Sequence, residues 1–256
     1  MYATCPKCGH QPAGDNAGLE VCPACGIVYK KWLQRQLGVT SPAAATRAES
    51  DAAGGPEIAT WLLGQLLHTE TRVNPFIFWG RTVVFTVMIV WGWSFLRLDF
   101  VRDFDAIGRS FMHLPDLVFH EAGHVLFRPF GWFMMVLGGS LGQLLMPGLL
   151  IGLFVFKYRN PFAAAVCTWW LGQSSMDLAP YIDDAMDQKM VLLGGRTGAD
   201  APGNHDWNNI LGELNMLEKH RHFADLVDTS GKLLIVLALI WGGVLLYRQF
   251  RNLEKF

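Results

Sequence analysis

The sequence predicts a polytopic α-helical membrane protein, with about four to six membrane segments and a small zinc-ribbon module at its N-terminus. Three observations carry this reading. Hydrophobic residues make up 51% of the 256 residues, charged residues only 17%, and there are ten tryptophans, a composition more apolar than soluble domains show. Mean hydropathy is +0.24. The apolar residues fall in separate runs of helical length, each closed by charged, proline or glycine residues. Four of the five cysteines stand in two pairs near the N-terminus, away from those runs. A net charge of -1 and a pI near 6.7 provide no broad basic field, which points away from a nucleic-acid partner.

The first module covers residues 1 to 37. Cys5-Pro6-Lys7-Cys8 and Cys22-Pro23-Ala24-Cys25 are two Cys-x-x-Cys knuckles, each followed by a glycine, Gly9 and Gly26. Four thiolates at Cys5, Cys8, Cys22 and Cys25 close a tetrahedral zinc site with no open position, so this zinc is structural. The module is also too short to fold on hydrophobic burial alone. Two disulfides are the competing pairing and require an oxidising compartment; Met1 to Gly38 shows no basic start followed by an apolar core, which favours zinc and a cytosolic N-terminus. Lys30, Lys31 and Arg35 are too few to line a nucleic-acid groove, and a protein is the expected partner of the ribbon. Residues 38 to 75 form a linker. Gly38 to Pro56 is rich in Ala, Ser, Thr, Gly and Pro and reads as a flexible tether, with a short interfacial helix expected from Glu57 to His68.

The membrane domain spans residues 76 to 256. Phe76 to Leu98 is the first crossing, with Trp79, Trp91 and Trp93 near its ends. After a polar connection from Asp99 to Arg109, a helix from Phe111 to Phe127 is stopped by Arg128-Pro129. Leu141 to Phe156 is a further crossing, and Lys157 to Asn160 marks the interface before Pro161, well placed to open a helix that runs to Ala185. Glu213 to Asp228 alternates apolar and charged residues as a solvated or interfacial helix does, and Lys232 to Tyr247 is the last crossing. An odd number of crossings from a cytosolic N-terminus leaves the basic tail from Arg248 outside, against the positive-inside preference. Phe130 to Gly139, which ends in Gly138-Gly139, is therefore expected to be re-entrant. The chain is expected in the lipid bilayer of an inner or plasma membrane.

The chemistry centres on His120-Glu121-Ala122-Gly123-His124, set between Leu117-Val118-Phe119 and Val125-Leu126-Phe127. Residues four apart share a helix face, so both imidazoles point one way with Glu121 beside them. Two neutral imidazoles hold a second, catalytic zinc, which brings the pKa of water towards neutrality, and Glu121 takes the proton. Chance could set two of the eight histidines four apart around a glutamate. Ionisable groups among Phe, Leu and Val at membrane depth are expensive, however, and are functional candidates by default. Asp177 and Asp184 lie two helical turns apart on the next polar-bearing helix, and Asp177 follows an apolar stretch where an acid needs a partner such as zinc. His205, in the polar cluster Gly203 to Asn209, either reaches the metal or is a loop histidine held by Asp206.

His120-Glu121-x-Gly123-His124, then Gly138-Gly139, then Asp177-x-x-Pro180 running to Asp184-Ala185, resembles the site-2 protease family of intramembrane zinc metalloproteases. In that family a His-Glu-x-Gly-His helix is followed by a membrane-embedded loop ending in glycines, and later by Asn-x-x-Pro leading into Leu-Asp-Gly. The resemblance implies metal ligands at His120 and His124, a general base at Glu121 and a third ligand at Asp184. This chain has Asp177 where the family has asparagine, Asp183-Asp184-Ala185 in place of Leu-Asp-Gly, and a gap one residue shorter. The third-ligand candidates rank Asp184 by resemblance, Asp177 by depth, then His205. The expected function is hydrolysis of a peptide bond in or near a membrane-spanning protein substrate. The competing reading is a non-proteolytic membrane adaptor or sensor, whose inner zinc would be closed by four protein ligands including an aspartate and His205. A zinc peptidase taking a glutamate as third ligand would have only Glu213 at a suitable spacing.

Overall fold

The computed structural model describes residues 4 to 11, 20 to 36 and 54 to 253. The chain divides into two compact units, Met1–Leu62 and Leu63–Phe256. In the first, each knuckle turns back on itself in the same way. The Gly9 N–H bonds the Cys5 carbonyl and the Gly26 N–H bonds that of Cys22, both at 2.9 Å. Both glycines have positive φ, 72° and 69°, which a side chain would resist. Helix α1 (Tyr29–Gln36) follows the second knuckle. The expected tether lies outside the described residues up to residue 53, and α2 (Gly54–Leu66) occupies the place of the expected short helix.

The second unit contains α3 (Pro75–Leu96), α4 (Phe104–Gly108), α5 (His113–Phe127), α6 (Trp132–Gly152), α7 (Pro161–Asp183), α8 (Asp206–Glu213) and α9 (His220–Arg251). Its described residues pair only in isolated bridges, without a strand. Local chemistry fixes several boundaries. Asn74 and Asn160 cap α3 and α7 by accepting the Phe76 and Ala163 N–H groups, and Pro75 and Pro161 occupy the first helical positions. Pro129 ends α5 in a single 3-10 turn, Arg128–Phe130.

Two expectations are corrected. Phe130 to Gly139 is not a separate segment: α6 begins at Trp132, after Gly131 turns the chain at φ 100°, and runs unbroken through it to a π-helical turn, Leu153–Lys157. Its glycines are spent on close packing against α5 and do not bend it. The helix expected from Glu213 to Asp228 and the crossing from Lys232 are one helix over most of their length, α9, of 32 residues. The charges that suggested a break pair within it, Lys232 with Asp228 at 2.7 Å, one turn apart.

Helix α7 stands between the pair α3 and α9 and the pair α5 and α6. Met88 and Phe95 of α3, Trp169 and Met176 of α7, and Ile235 and Ala238 of α9 form a buried core. The Trp169 indole N–H donates to the Met88 carbonyl at 3.1 Å, so its polar edge is satisfied inside that core. Helices α7 and α9 meet backbone to backbone: a Cβ on Gly172 would lie 2.6 Å from the Gly231 carbonyl oxygen.

Three segments are long and apolar enough to cross a membrane, Pro75–Leu96, Trp132–Lys157 and Leu217–Arg251. On α9, Leu233, Leu237, Ile240, Val244 and Tyr247 form one exposed apolar stripe, the face a lipid-exposed helix needs. The other two expected membrane helices differ. With 15 residues, α5 is roughly 22 Å long, short of a hydrocarbon core of about 30 Å. Helix α7 has the length but carries Gln173, Ser174 and Ser175, buried by its neighbours.

Gly172→Ala is expected to lower stability by about 1–3 kcal/mol, because backbone atoms of α9 block the new methyl. Gly148→Ala, with open space at its Cβ, should be neutral or stabilising. Thermal unfolding in detergent checks both, and an unchanged midpoint for Gly172→Ala would contradict this packing.

Candidate metal centre

The face of α5 that looks inward is polar and the face that looks outward is apolar. Val118, Val125 and Leu126 are exposed, whereas Asp116, His120 and Gly123 are buried. The spacing puts His113, His120 and His124 on the inward side with α6 and α7. Glycines then bring α6 against them. A Cβ on Gly142 would lie 2.8 Å from the Gly123 Cα, and one on Gly139 would lie 2.5 Å from His120 Nε2 and 2.6 Å from His124 Nε2. The space above Gly139 is thus open only because it has no side chain.

Into that space comes Asp206, the first residue of α8. Its Oδ2 lies 3.0 Å from His120 Nε2 and 3.2 Å from His124 Nε2. The tautomers follow from the outer partners. The Met135 carbonyl, 2.8 Å from His124 Nδ1, can only accept, so Nδ1 carries the hydrogen. Gln143 donates its amide to the Ser174 carbonyl and to Asp177, so its Oε1 accepts from His120 Nδ1 at 3.2 Å. Both Nε2 atoms then present lone pairs to a carboxylate oxygen, an arrangement that repels unless a cation sits among them. Ligands about 2.0–2.1 Å from a tetrahedral zinc stand roughly 3.3 Å apart, close to the spacing seen. The donor set, its outer hydrogen bonds and the Gly139 cradle fit a zinc-like ion.

Helix α8 is held over the site at several points. The Asp206 N–H donates to the Tyr181 hydroxyl at 2.9 Å, and the Trp207 indole donates to Ser140 Oγ at 3.1 Å, beside Gly139. Glu121 is half-buried and lines a cleft of about 920 Å³ together with His113, His120, His124, Tyr181 and Asp206.

None of the three ranked candidates stands among the donors. Asp184 accepts the N–H groups of Lys189 and Met190 at 2.8 Å and lies 3.3 Å from His205 Nε2. Asp177 lies one shell out: His113 Nδ1 donates to it at 2.9 Å and Gln143 at 3.3 Å. His205 is fully buried, and its Nδ1 accepts the Asn208 N–H at the start of α8. Glu213 is exposed at the far end of α8. Sequence reasoning treated Asp206 only as a partner for His205, whose Nε2 faces Asp184 instead. The signal available was an acid opening a short helix within the most polar loop of the chain.

The four ribbon cysteines form the second group among the described residues able to hold a metal. Cys5 and Cys25 sulfurs are 3.7 Å apart, and Cys8 and Cys22 sulfurs 3.8 Å. A disulfide needs about 2.05 Å, whereas thiolates around zinc at about 2.3 Å stand roughly 3.8 Å apart. Burial opposes the Cys22 thiolate, but the N–H groups of Cys25 and Ala24 outweigh it and lower the thiol to about 6. Cys167 is buried in α7 and belongs to neither group.

Comparison with known proteins matched no family model, no curated protein and no solved structure. What the inner centre can do therefore rests on its geometry: three protein donors, a carboxylate beside them and a cleft leading in.

Gly139→Ala should abolish metal binding at the inner centre while the cysteine-bound metal remains, because the methyl would meet both Nε2 atoms. Metal analysis of the purified variant checks this, and full retention of both metals would contradict it.

Proposed function

We propose that the chain is an intramembrane zinc metalloprotease that hydrolyses a peptide bond in or near a membrane-spanning protein. The observation that carries this reading is the convergence of His120, His124 and Asp206 on a cleft that Glu121 also lines. Zinc, when bound there, supplies Lewis acidity that acidifies water and polarises a carbonyl. Glu121 takes the proton from the attacking water and delivers it to the leaving amine. Gln143 and the Met135 carbonyl hold the two imidazoles in the tautomer that leaves Nε2 free for metal. The outward apolar faces of the helices around the site limit bulk water, which strengthens each of these interactions.

The cleft offers a place for an extended peptide. Residues Lys189 to Leu193 line it, and Val191 pairs with Thr197 in an isolated antiparallel bridge. The bond from Leu192 N–H to the Arg196 carbonyl makes Val191 and Thr197 a non-hydrogen-bonded pair, so the N–H and C=O of Val191 face away from Thr197. A substrate strand could pair there, edge to edge with this segment.

On this reading the likeness to site-2 proteases extends to both histidines and the glutamate but not to the ligand aspartate. The chain is a polytopic protein of an inner or plasma membrane, its ribbon in the cytosol and available to a protein partner. The adaptor reading required an inner zinc closed by four protein ligands including His205, and the engagement of His205 by Asp184 favours the protease over it.

Glu121→Gln is expected to keep the inner metal and to reduce hydrolysis of quenched fluorescent transmembrane peptides by about 10²–10⁴-fold. Metal analysis and kcat/KM in detergent micelles provide the check. Undiminished cleavage would remove Glu121 from this role.

A further inference from the structure

We infer that Asp184 and His205 form a latch that delivers Asp206 to the inner metal centre, each acting as a positioning residue and neither as a ligand. The inference rests on the metal site proposed above. Asp206 comes from outside the helices that carry His120 and His124: the chain leaves α7 after Asp183 and returns only at α8. Between them runs an irregular segment with one isolated bridge and positive φ at Gln188, Gly194, Gly195 and Gly203. A loop of this kind does not by itself hold a carboxylate in place beside two imidazoles.

The two ends of the segment are tied to each other. At its foot, Asp184 accepts the N–H groups of Lys189 and Met190, each at 2.8 Å, which sets the direction in which the chain departs. At its return, His205 Nδ1 accepts the Asn208 N–H and so caps α8. That leaves the hydrogen on Nε2, which makes no hydrogen bond of its own but lies 3.3 Å from Asp184 Oδ2, so that electrostatic attraction draws the return of the segment to its foot. The His205 ring is fully buried and lies 4.4 Å, centroid to centroid, from Tyr181. The Tyr181 hydroxyl in turn accepts the N–H of Asp206. Asn208 adds a further tie, its amide donating to the Ala185 carbonyl at 2.9 Å. One residue beyond His205 stands the carboxylate that meets both imidazoles. Loss of the pair would leave the buried imidazole N–H without a facing carboxylate, and the start of α8 would keep only its ties through Tyr181 and Asn208.

The test is a zinc-chelator competition on the full chain in detergent, with the cysteine-bound zinc as internal reference. Asp184→Asn and His205→Asn are each expected to weaken inner-site zinc about 10–100-fold, the range for an outer partner of a ligand. Asparagine at 205 keeps a side-chain helix cap, so its effect reports the link to Asp184. The double variant should be no weaker than the weaker single one, because both remove one interaction. Asp206→Ala should abolish the inner site. Wild-type affinity in both single variants would overturn the latch and leave the metal centre standing. Additive losses in the double variant would overturn it too, as would Asp184→Asn abolishing zinc while Asp206→Ala retains it. A wild-type chain that binds no inner-site zinc would overturn the metal reading and the latch together. Should Asp184→Asn fail to fold, His205→Asn alone decides: wild-type affinity there overturns the latch.

Discussion

The near contact of α5 and α6 backbones is what the rest of the second unit depends on. Gly123 faces Gly138 and Gly142 so closely that a Cβ at any of the three would meet the other helix's backbone. That approach brings Gly139 under the two imidazoles, Met135 to His124 and Gln143 to His120. Glycine inside a helix is unfavourable by about 1 kcal/mol against alanine, and here the loss is offset by packing that larger residues would forbid. A shift of one turn along α6 would separate both imidazoles from the carbonyls that fix their tautomers.

Around this contact the unit meets a second constraint, that polar groups inside an apolar bundle need partners. The chain of contacts is continuous: His113 donates to Asp177, Gln143 donates to Asp177, and His120 donates to Gln143. Each member can play only one role, because the carboxylate of Asp177 accepts and thereby orients the Gln143 amide. Asp177, an acid whose depth in the helix suggested a metal ligand, is thus accounted for as the anchor of an outer layer. The same economy appears at Asp184, which holds a loop in place of an ion.

Features set by neighbours in sequence were legible from the sequence. The two cysteine knuckles, the helix carrying His120, Glu121 and His124, and the helix start at Pro161 each depend on a few adjacent residues, and the structure has them where expected. Features set by distant partners were not. Gly138 and Gly139 read as a place for a bend or for a close backbone approach; the structure has the close approach, but its partner, the backbone of α5, is invisible locally. Lys232 and Asp228 read as the edge of a crossing, because the sequence pattern does not show that they neutralise each other. Asp206 was missed for the strongest version of this reason: it reaches the imidazoles only through a loop whose return depends on Asp184, Tyr181 and His205 together.

The measurement that tests the inner centre most directly is zinc-edge X-ray absorption on the full chain carrying Cys5→Ser and Cys8→Ser, so that only the inner site loads. The account predicts a spectrum fitted by two imidazole nitrogens with oxygen donors at about 2.0–2.2 Å and no sulfur. A chain without zinc, or a shell containing three or more imidazoles, would contradict it.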